Sequence, residues 1–400
     1  MALVTDLDLP ELDFGDPDLV GEVYHQRLAA LREQSWLARS PVAVVVLDRA
    51  AGEFFLRAKA TSFPGRQIAE LFGITAGPLY EHIDANILNL SDATHRRLRS
   101  IVGGAFTPAA ANRWRPVMRQ ILGQLWDGLD GDAIGGVEFV TALAKPYPAL
   151  TIATILGAPV EDAARLHEWS TWVQRQFDIR ALSTDLARIE AAVVEAFDYV
   201  DSLLARAPDP SSLLGALQAA EAEGERLSHI ECVNLAVNVL AGAIDTTQSQ
   251  LSHAVHLFAL EPEQWAMLSR SSDLVPAAVT EVLRVEPVTP FTARLCLEDI
   301  EYTDVVFPAG TIVAICAERA NREAGEGFDI AVDHDGRLLT FGAGPHYCLG
   351  ANLARAELEE ALGFLAPRMP GLRLDGPVGF GGIEGIYGVE ALPVRWSSTD

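Results

Sequence analysis

The sequence predicts a mainly α-helical protein with a small β region, folded as one large domain. Three observations carry this. Long stretches repeat apolar residues at helical spacing, and the longest opens on the capping-box pair Ser228 and Glu231 and meets no proline until Pro262. The β-branched runs are short, near residues 41–48 and 300–315. No Pro/Gly/Ser-rich linker divides the 400 residues, and 49% hydrophobic content is enough to bury a large core.

In chain order, residues 1–18 read as an N-terminal extension and 19–400 as the domain. The first ten residues carry acidic groups and no long apolar run, so they are neither a signal peptide nor a membrane anchor. Residues 19–34 have helical spacing, and 41–48 read as a strand. Residues 61–89, interrupted by Gly65, Gly73, Gly77 and Pro78, read as helix plus irregular loop. Asp92 opens a helix carrying His95 and Arg99, which share one face. Residues 109–129 and 137–156 read as two further helices. Residues 166–177 and 184–206 read as an amphipathic pair around a loop near 178–183.

The helix from Ser228 would run roughly 30 residues, so ~45 Å, enough to cross the molecule. Its middle, Ala241-Gly242-Ala243-Ile244-Asp245-Thr246-Thr247, is a poor propagator of helix. Threonine hydroxyls there can bond back one turn and bend the axis. Such a turn is either a satisfied polar kink or a place where a small ligand approaches the backbone. Residues 274–285 form another helix with Glu281 and Arg284 at i, i+3. Residues 300–315 read as a hairpin turning at 308–310, and residues from the cysteine loop to about 366 as a helix.

Net charge is −25, which argues against nucleic acid and anionic membrane surfaces as partners. Cys232, Cys296, Cys316 and Cys348 are far apart, with no Cys-x-x-Cys pair. That disfavours a zinc site or a disulfide framework and fits a reducing cytoplasm.

The most specified stretch is Phe341-Gly342-Ala343-Gly344-Pro345-His346-Tyr347-Cys348-Leu349-Gly350. A lone cysteine beside glycines is most often a buried thiol. At the start of a helix, however, the dipole and free N–H groups favour a thiolate, which is a metal ligand or a nucleophile. The stretch resembles the heme-binding loop of the cytochrome P-450 family, Phe-Gly-x-Gly-x-x-x-Cys-x-Gly, at every fixed position, and the resemblance extends from about residue 19 to the C-terminus.

The resemblance implies the cytochrome P-450 fold, with heme b between the long central helix and the cysteine-loop helix, and Cys348 as axial thiolate. It implies a monooxygenase that inserts one atom of dioxygen into an organic substrate. Electrons would come from NAD(P)H through a ferredoxin or similar carrier. Asp245 and Thr246 resemble the oxygen-activating acid and alcohol, with Ala243 in place of the usual glycine. His95 and Arg99, by spacing alone a solvated basic face, resemble the propionate helix. Arg294, by itself an exposed strand arginine, and His346 join them as propionate grips, and Phe341 and Gly342 belong to the heme loop. Residues 388–396 resemble the family's terminal hairpin, and the segments at 61–89, 169–186, Phe291–Thr292 and Ile386–Tyr387 are placed around the pocket. Their apolar character implies a mainly hydrophobic substrate, with natural-product intermediates, terpenoids, steroids and fatty acids all open. Arg96, Arg97, Arg113, Arg115 and Arg119 are candidates for a basic patch facing the electron carrier. Two alternatives are a peroxide-driven heme-thiolate enzyme and a heme-based gas-binding protein; the Asp245-Thr246 pair speaks against both. One departure is plain: the arginine expected shortly after Phe328-Asp329, partner of Glu281 and Arg284, is absent, with Val332 or Asp333 in its place. Arg337, Arg319 and Arg322 are candidate substitutes.

Overall fold

The computed structural model describes residues 1–129, 135–223, 227–334 and 336–397. Helices α1 (Gly21–Gln34), α2 (Arg49–Arg57), α3 (Gly65–Leu71), α4 (Pro78–Ala85), α5 (Asp92–Gly103), α6 (Pro108–Asp127), α7 (Pro146–Leu156), α8 (Ala163–Gln174), α9 (Ile179–Thr184) and α10 (Leu186–Leu204) make up the first half. They are followed by α11 (Leu213–Ala222), α12 (His229–Ala243), α13 (Asp245–Leu260), α14 (Pro262–Arg270), α15 (Val275–Val285), α16 (Ala317–Arg322) and α17 (Ala351–Leu365). The largest core is helical and gathers the apolar faces of α4 to α15 and α17 around the fully buried α12 and α13 faces. Smaller cores lie under the sheets near the N-terminus.

The strands are short. β1 (Ala2–Leu3), β2 (Leu37–Arg39), β3 (Val44–Val46), β4 (Thr61–Ser62) and β5 (Gly136–Glu138) come before the long helix. β6 (Phe291–Cys296), β7 (Ile300–Tyr302), β8 (Val305–Phe307), β9 (Ile312–Cys316), β10 (Arg373–Leu374), β11 (Gly379–Phe380), β12 (Val389–Ala391) and β13 (Pro393–Arg395) come after it. The main sheet has the order β2-β3-β9-β6-β4, and a second sheet the order β1-β8-β7. Residues 1–18 pack onto the rest of the chain: β1 pairs in parallel with β8, and Val4 and Leu12 are buried.

The capping box forms as expected. Glu231 N donates to Ser228 Oγ, and Ser228 N donates to the Glu231 carboxylate at 2.9 Å. The long helix does bend at its weak turn. It breaks at Ile244 into α12 and α13, and Thr246 Oγ1 donates back to Gly242 O at 2.7 Å.

Four local expectations are corrected. Residues 178–183 are not a loop, because Asp178 Oδ1 accepts from Ala181 N and caps the short helix α9. The 137–156 helix starts late. β5 comes first, then a wide turn over Val140–Ala144 closed by Lys145 N on Val140 O; Pro146, with no N–H, opens α7. The 300–315 hairpin turns at Thr303 and Asp304, with Thr303 at φ 54°; the 308–310 turn instead carries the chain from β8 to β9 in another sheet. Residues 388–396 are not a hairpin. β12 pairs with β11, and β13 with β10 and β5. Between them Leu392 N bonds Glu138 Oε1, so the chain switches sheets there.

Candidate active site

The cysteine loop is shaped by its backbone. Gly342 and Gly344 take φ of 70° and 72°, which favour glycine. A Cβ on Gly344 would stand 2.8 Å from Leu56 O, so the loop can lie flat on the end of α2 only as glycine. Cys348 N donates to Phe341 O at 2.9 Å, closing the loop just ahead of α17. The Cys348 side chain is exposed although protein surrounds it, so it faces a cleft. The expectation of a depressed thiol is reversed: burial raises it, and the N–H groups of Gly350 and Ala351 and the charge of Arg99 offset that only in part.

Around this thiol gather the four side chains expected to grip propionates, two arginines and two histidines. Arg99 donates to Tyr347 O. The His95 and His346 rings lie 4.4 Å apart. Burial, then His95, Arg294 and Arg99, hold His346 down at about 3; burial, then Arg99 and Arg96, lower His95. Arg294 is 3% exposed, and its recorded bond is to its own neighbour, Ala293 O, at 2.8 Å. Burial pulls its guanidinium down to about 10. His95 Nε2 is buried with no hydrogen-bond partner. No carboxylate side chain pairs with any of the four among the described residues. Buried unpaired cations are costly, so this cradle has the chemistry to take an anionic group. On the long helix Gly242 is exposed, and a Cβ there would meet nothing within 4 Å, so that face borders open space. A heme with two propionates, a thiolate ligand and a flat face against Gly242 fits these residues.

A model of the family "Cytochrome P450" matches residues 34–365. The chain belongs to the cytochrome P450 family. Luteothin monooxygenase of Streptomyces thioluteus is 34% identical, over 98% of this chain and 97% of that protein. Nocardicin C N-oxygenase of Nocardia uniformis subsp. tsuyamanensis is 32% identical, over 94% of each. The solved structure of CalO2 superposes with a TM-score of 0.88 at 28% identity, covering 98% of this chain and all of that one (100%). This cytochrome P450 is a monooxygenase with the family's fold, heme and thiolate ligation. Among the described residues no helix is long and apolar enough to cross a membrane.

Across the cleft of this P450, Asp245 points to the amphipathic pair. Its carboxylate accepts from Thr171 Oγ1 at 2.9 Å and Ser170 Oγ at 3.1 Å, and His167 Nε2 lies 3.6 Å away. Burial raises the Asp245 carboxyl, against the pull of His167, Thr171, Ser170 and Lys145. Thr247 Oγ1 donates to the buried Glu357 of α17 at 3.5 Å, which joins the oxygen-side turn to the cysteine helix. Sequence reasoning missed His167, Ser170, Thr171 and Glu357. The i, i+3, i+4 spacing of the first three on one helix face was the available signal.

Three placements differ from expectation. Phe291 turns away from the cleft and packs on Phe14, ring centroids 4.6 Å apart; strand alternation leaves Thr292 on the Arg294 side. Tyr387 is buried against Tyr24 and Phe380, and its hydroxyl accepts from Gly21 N at 2.7 Å. The candidate basic patch is largely neutralised: Arg97 pairs with Glu231, Arg115 with Glu359 and Glu360, and Arg119 with Glu360.

Proposed function

We propose that this P450 oxidises a mainly hydrophobic natural-product intermediate with electrons from a ferredoxin-type carrier, with a heme whose thiolate ligand would be Cys348. Arg294, Arg99, His95 and His346 would hold its propionates, and Phe341, Gly342 and Ala243 would line its site. The observation that carries this reading is Arg294, a buried guanidinium without an acid, beside the unpartnered His95 Nε2 and the Cys348 thiol. The heme supplies thiolate-driven dioxygen activation. The chain supplies protons and exclusion of water. Thr246 spends its hydroxyl proton on Gly242 O, so its lone pairs are free to accept from a group in the cleft. Asp245, raised by burial, is an acid able to give up a proton toward that turn and be reloaded from the α8 side. In sum, substrate, dioxygen, two electrons and two protons give oxygenated product and water.

The names of the relatives, which oxidise luteothin-type and nocardicin-type molecules, support a natural-product substrate. With the basic patch mostly paired internally, the carrier's dock shifts to a hollow of about 480 Å³ against the cysteine loop. Arg57 and Arg337 line it. Arg337 has no ion-pair partner among the described residues, whereas Arg57 is tied to Glu53 at 2.9 Å. The test is turnover of spectrally screened ligands with ferredoxin, reductase and NAD(P)H, using labelled dioxygen. Label in the product supports the reading. Turnover with peroxide alone sinks the carrier, and no oxidation of any ligand that shifts the Soret band sinks the substrate class.

A further inference from the structure

The chain between α16 and the cysteine loop lacks its expected arginine, and the structure shows what stands there. Glu281 and Arg284 are 3% and 1% exposed. Arg284 meets Glu281 twice at 2.7 Å and donates its other N–H groups to Gly325 O and Gly327 O. Glu281 Oε1 also accepts from Asp329 N at 2.9 Å. None of the three candidate substitutes reaches Glu281. Arg319 pairs with Glu318 and Glu326, Arg322 with Glu318, and Arg337 lines the hollow by the cysteine loop. His334 approaches instead. Its Nε2 is buried, has no hydrogen-bond partner, and lies 3.7 Å from Glu281 Oε1. Its Nδ1 is 3.2 Å from Ala324 O.

The chemistry of those two neighbours is decisive. A carbonyl oxygen can only accept, so Nδ1 carries a hydrogen. A bare Nε2 lone pair would then face a carboxylate and be repelled, whereas an Nε2–H is attracted. Gly325, at φ +157°, makes room: a Cβ there would come 2.9 Å from His334 Cε1.

We propose that His334 is a positioning residue, the second cation on Glu281, which fixes segment 324–334 and through it the approach to the cysteine loop. Helix α15 holds both ends of that approach. Thr340 Oγ1 donates to Leu283 O at 2.6 Å, Asn321 Nδ2 donates to Thr340 Oγ1, and Leu339 N donates to Asn321 Oδ1, each at 2.8 Å. The same helix thus anchors 324–334 through Glu281 and 339–340 through Leu283, next to Phe341, whose O anchors Cys348 N.

The test uses the heme-loaded full chain and two variants. His334→Gln keeps an amide near the Nε2 position, facing Glu281, and removes the charge; His334→Arg keeps a charge. The first readout is hydrogen exchange of peptides covering 324–341, which does not depend on the identity of the heme ligand. The second is the decay of the thiolate-type carbon monoxide band, which rests on Cys348 being that ligand. His334→Gln is expected to speed exchange about tenfold and to lose the band several-fold faster, with His334→Arg close to wild type in both. His334→Gln matching wild type overturns the brace. His334→Arg failing as His334→Gln does overturns the role of charge. Faster exchange with an unchanged band overturns the link to the cysteine loop. A band missing from wild type itself refutes the ligand assignment and leaves the exchange readout to decide on the brace.

Discussion

Two buried charge clusters in this P450 follow opposite rules. Under the N-terminal helix, His25 sits between Glu286 at 2.7 Å and Glu318 at 3.0 Å, and Glu318 is held by Arg322 at 2.8 Å. Both His25 nitrogens face carboxylates, so plus and minus alternate through the cluster. Beside Cys348, two arginines and two histidines whose imidazoles burial holds low meet, and no acid answers them among the described residues. Burial makes an unpaired charge expensive, and pairing recovers much of that. The matched cluster therefore fastens α1 to the end of α15 and to α16, and the unmatched one is shaped for an anion that the chain does not itself provide.

The largest effect that would sharpen this contrast is at the thiol. Cys348→Ala should remove the thiolate-type carbon monoxide band and all dioxygen-dependent turnover, while the haem-free chain folds as before, since the side chain faces a cleft. A surviving band would displace Cys348 from the site. Next comes the matched cluster. Glu286→Ala leaves His25 with Glu318 as its one carboxylate partner and should destabilise the fold by about 3–5 kcal/mol, read by denaturant unfolding. Heme per folded molecule should be unchanged. A cost below about 1 kcal/mol would mean that the cluster is less buried than it is drawn. At the unmatched cluster the signs invert. Arg294→Leu should leave the stability of the heme-free chain equal or higher, and should weaken heme retention by about one to two orders of magnitude, the worth of a charge-assisted contact. A destabilised chain with normal heme affinity would make Arg294 an ordinary structural residue.

The same contrast explains what the sequence made legible. Unpaired site residues announce themselves through motif spacing: Cys348 in its glycine loop, His95 and Arg99 four apart, and the Gly242–Thr247 turn that breaks the long helix at Ile244. The helical body was readable because capping and periodicity are local. What escaped depends on contacts between distant segments. The His25 cluster joins residues 261 and 293 positions apart in the chain, so no window contains it. Phe291 was misplaced because only Phe14, far upstream, shows which strand face is inward. Tyr387 went the same way, claimed by Gly21 and Tyr24. Arg97, Arg115 and Arg119 of the arginine patch are paired because Glu231, Glu359 and Glu360 lie on other helices that pack beside them.

The smallest predicted effect is one of pH, and it tests the matched cluster without cutting it. Burial would lower His25, but the charge and hydrogen bond of Glu286, with Glu318, outweigh it and raise the imidazole from 6.5 to about 9. Burial would raise Glu286, but His25, then His253 and Arg322, hold it down at about 2 instead of 4.5. A raised folded-state value means that the His25 contribution is complete below 6.5 and disappears as pH climbs through about 9. A depressed one means that the Glu286 contribution is complete above 4.5 and fades as pH falls toward 2. Thermal midpoints of wild type and of His25→Gln should thus lie furthest apart between about pH 4.5 and 6.5, where both contributions are whole. The stability difference behind that gap, on the order of 2 kcal/mol for so coupled a pair, should narrow on the alkaline side because wild type alone has an imidazolium to lose. Curves that run parallel from neutral pH to beyond 9 would show that His25 is not charged in the fold, and the two clusters would then differ less than their geometry implies.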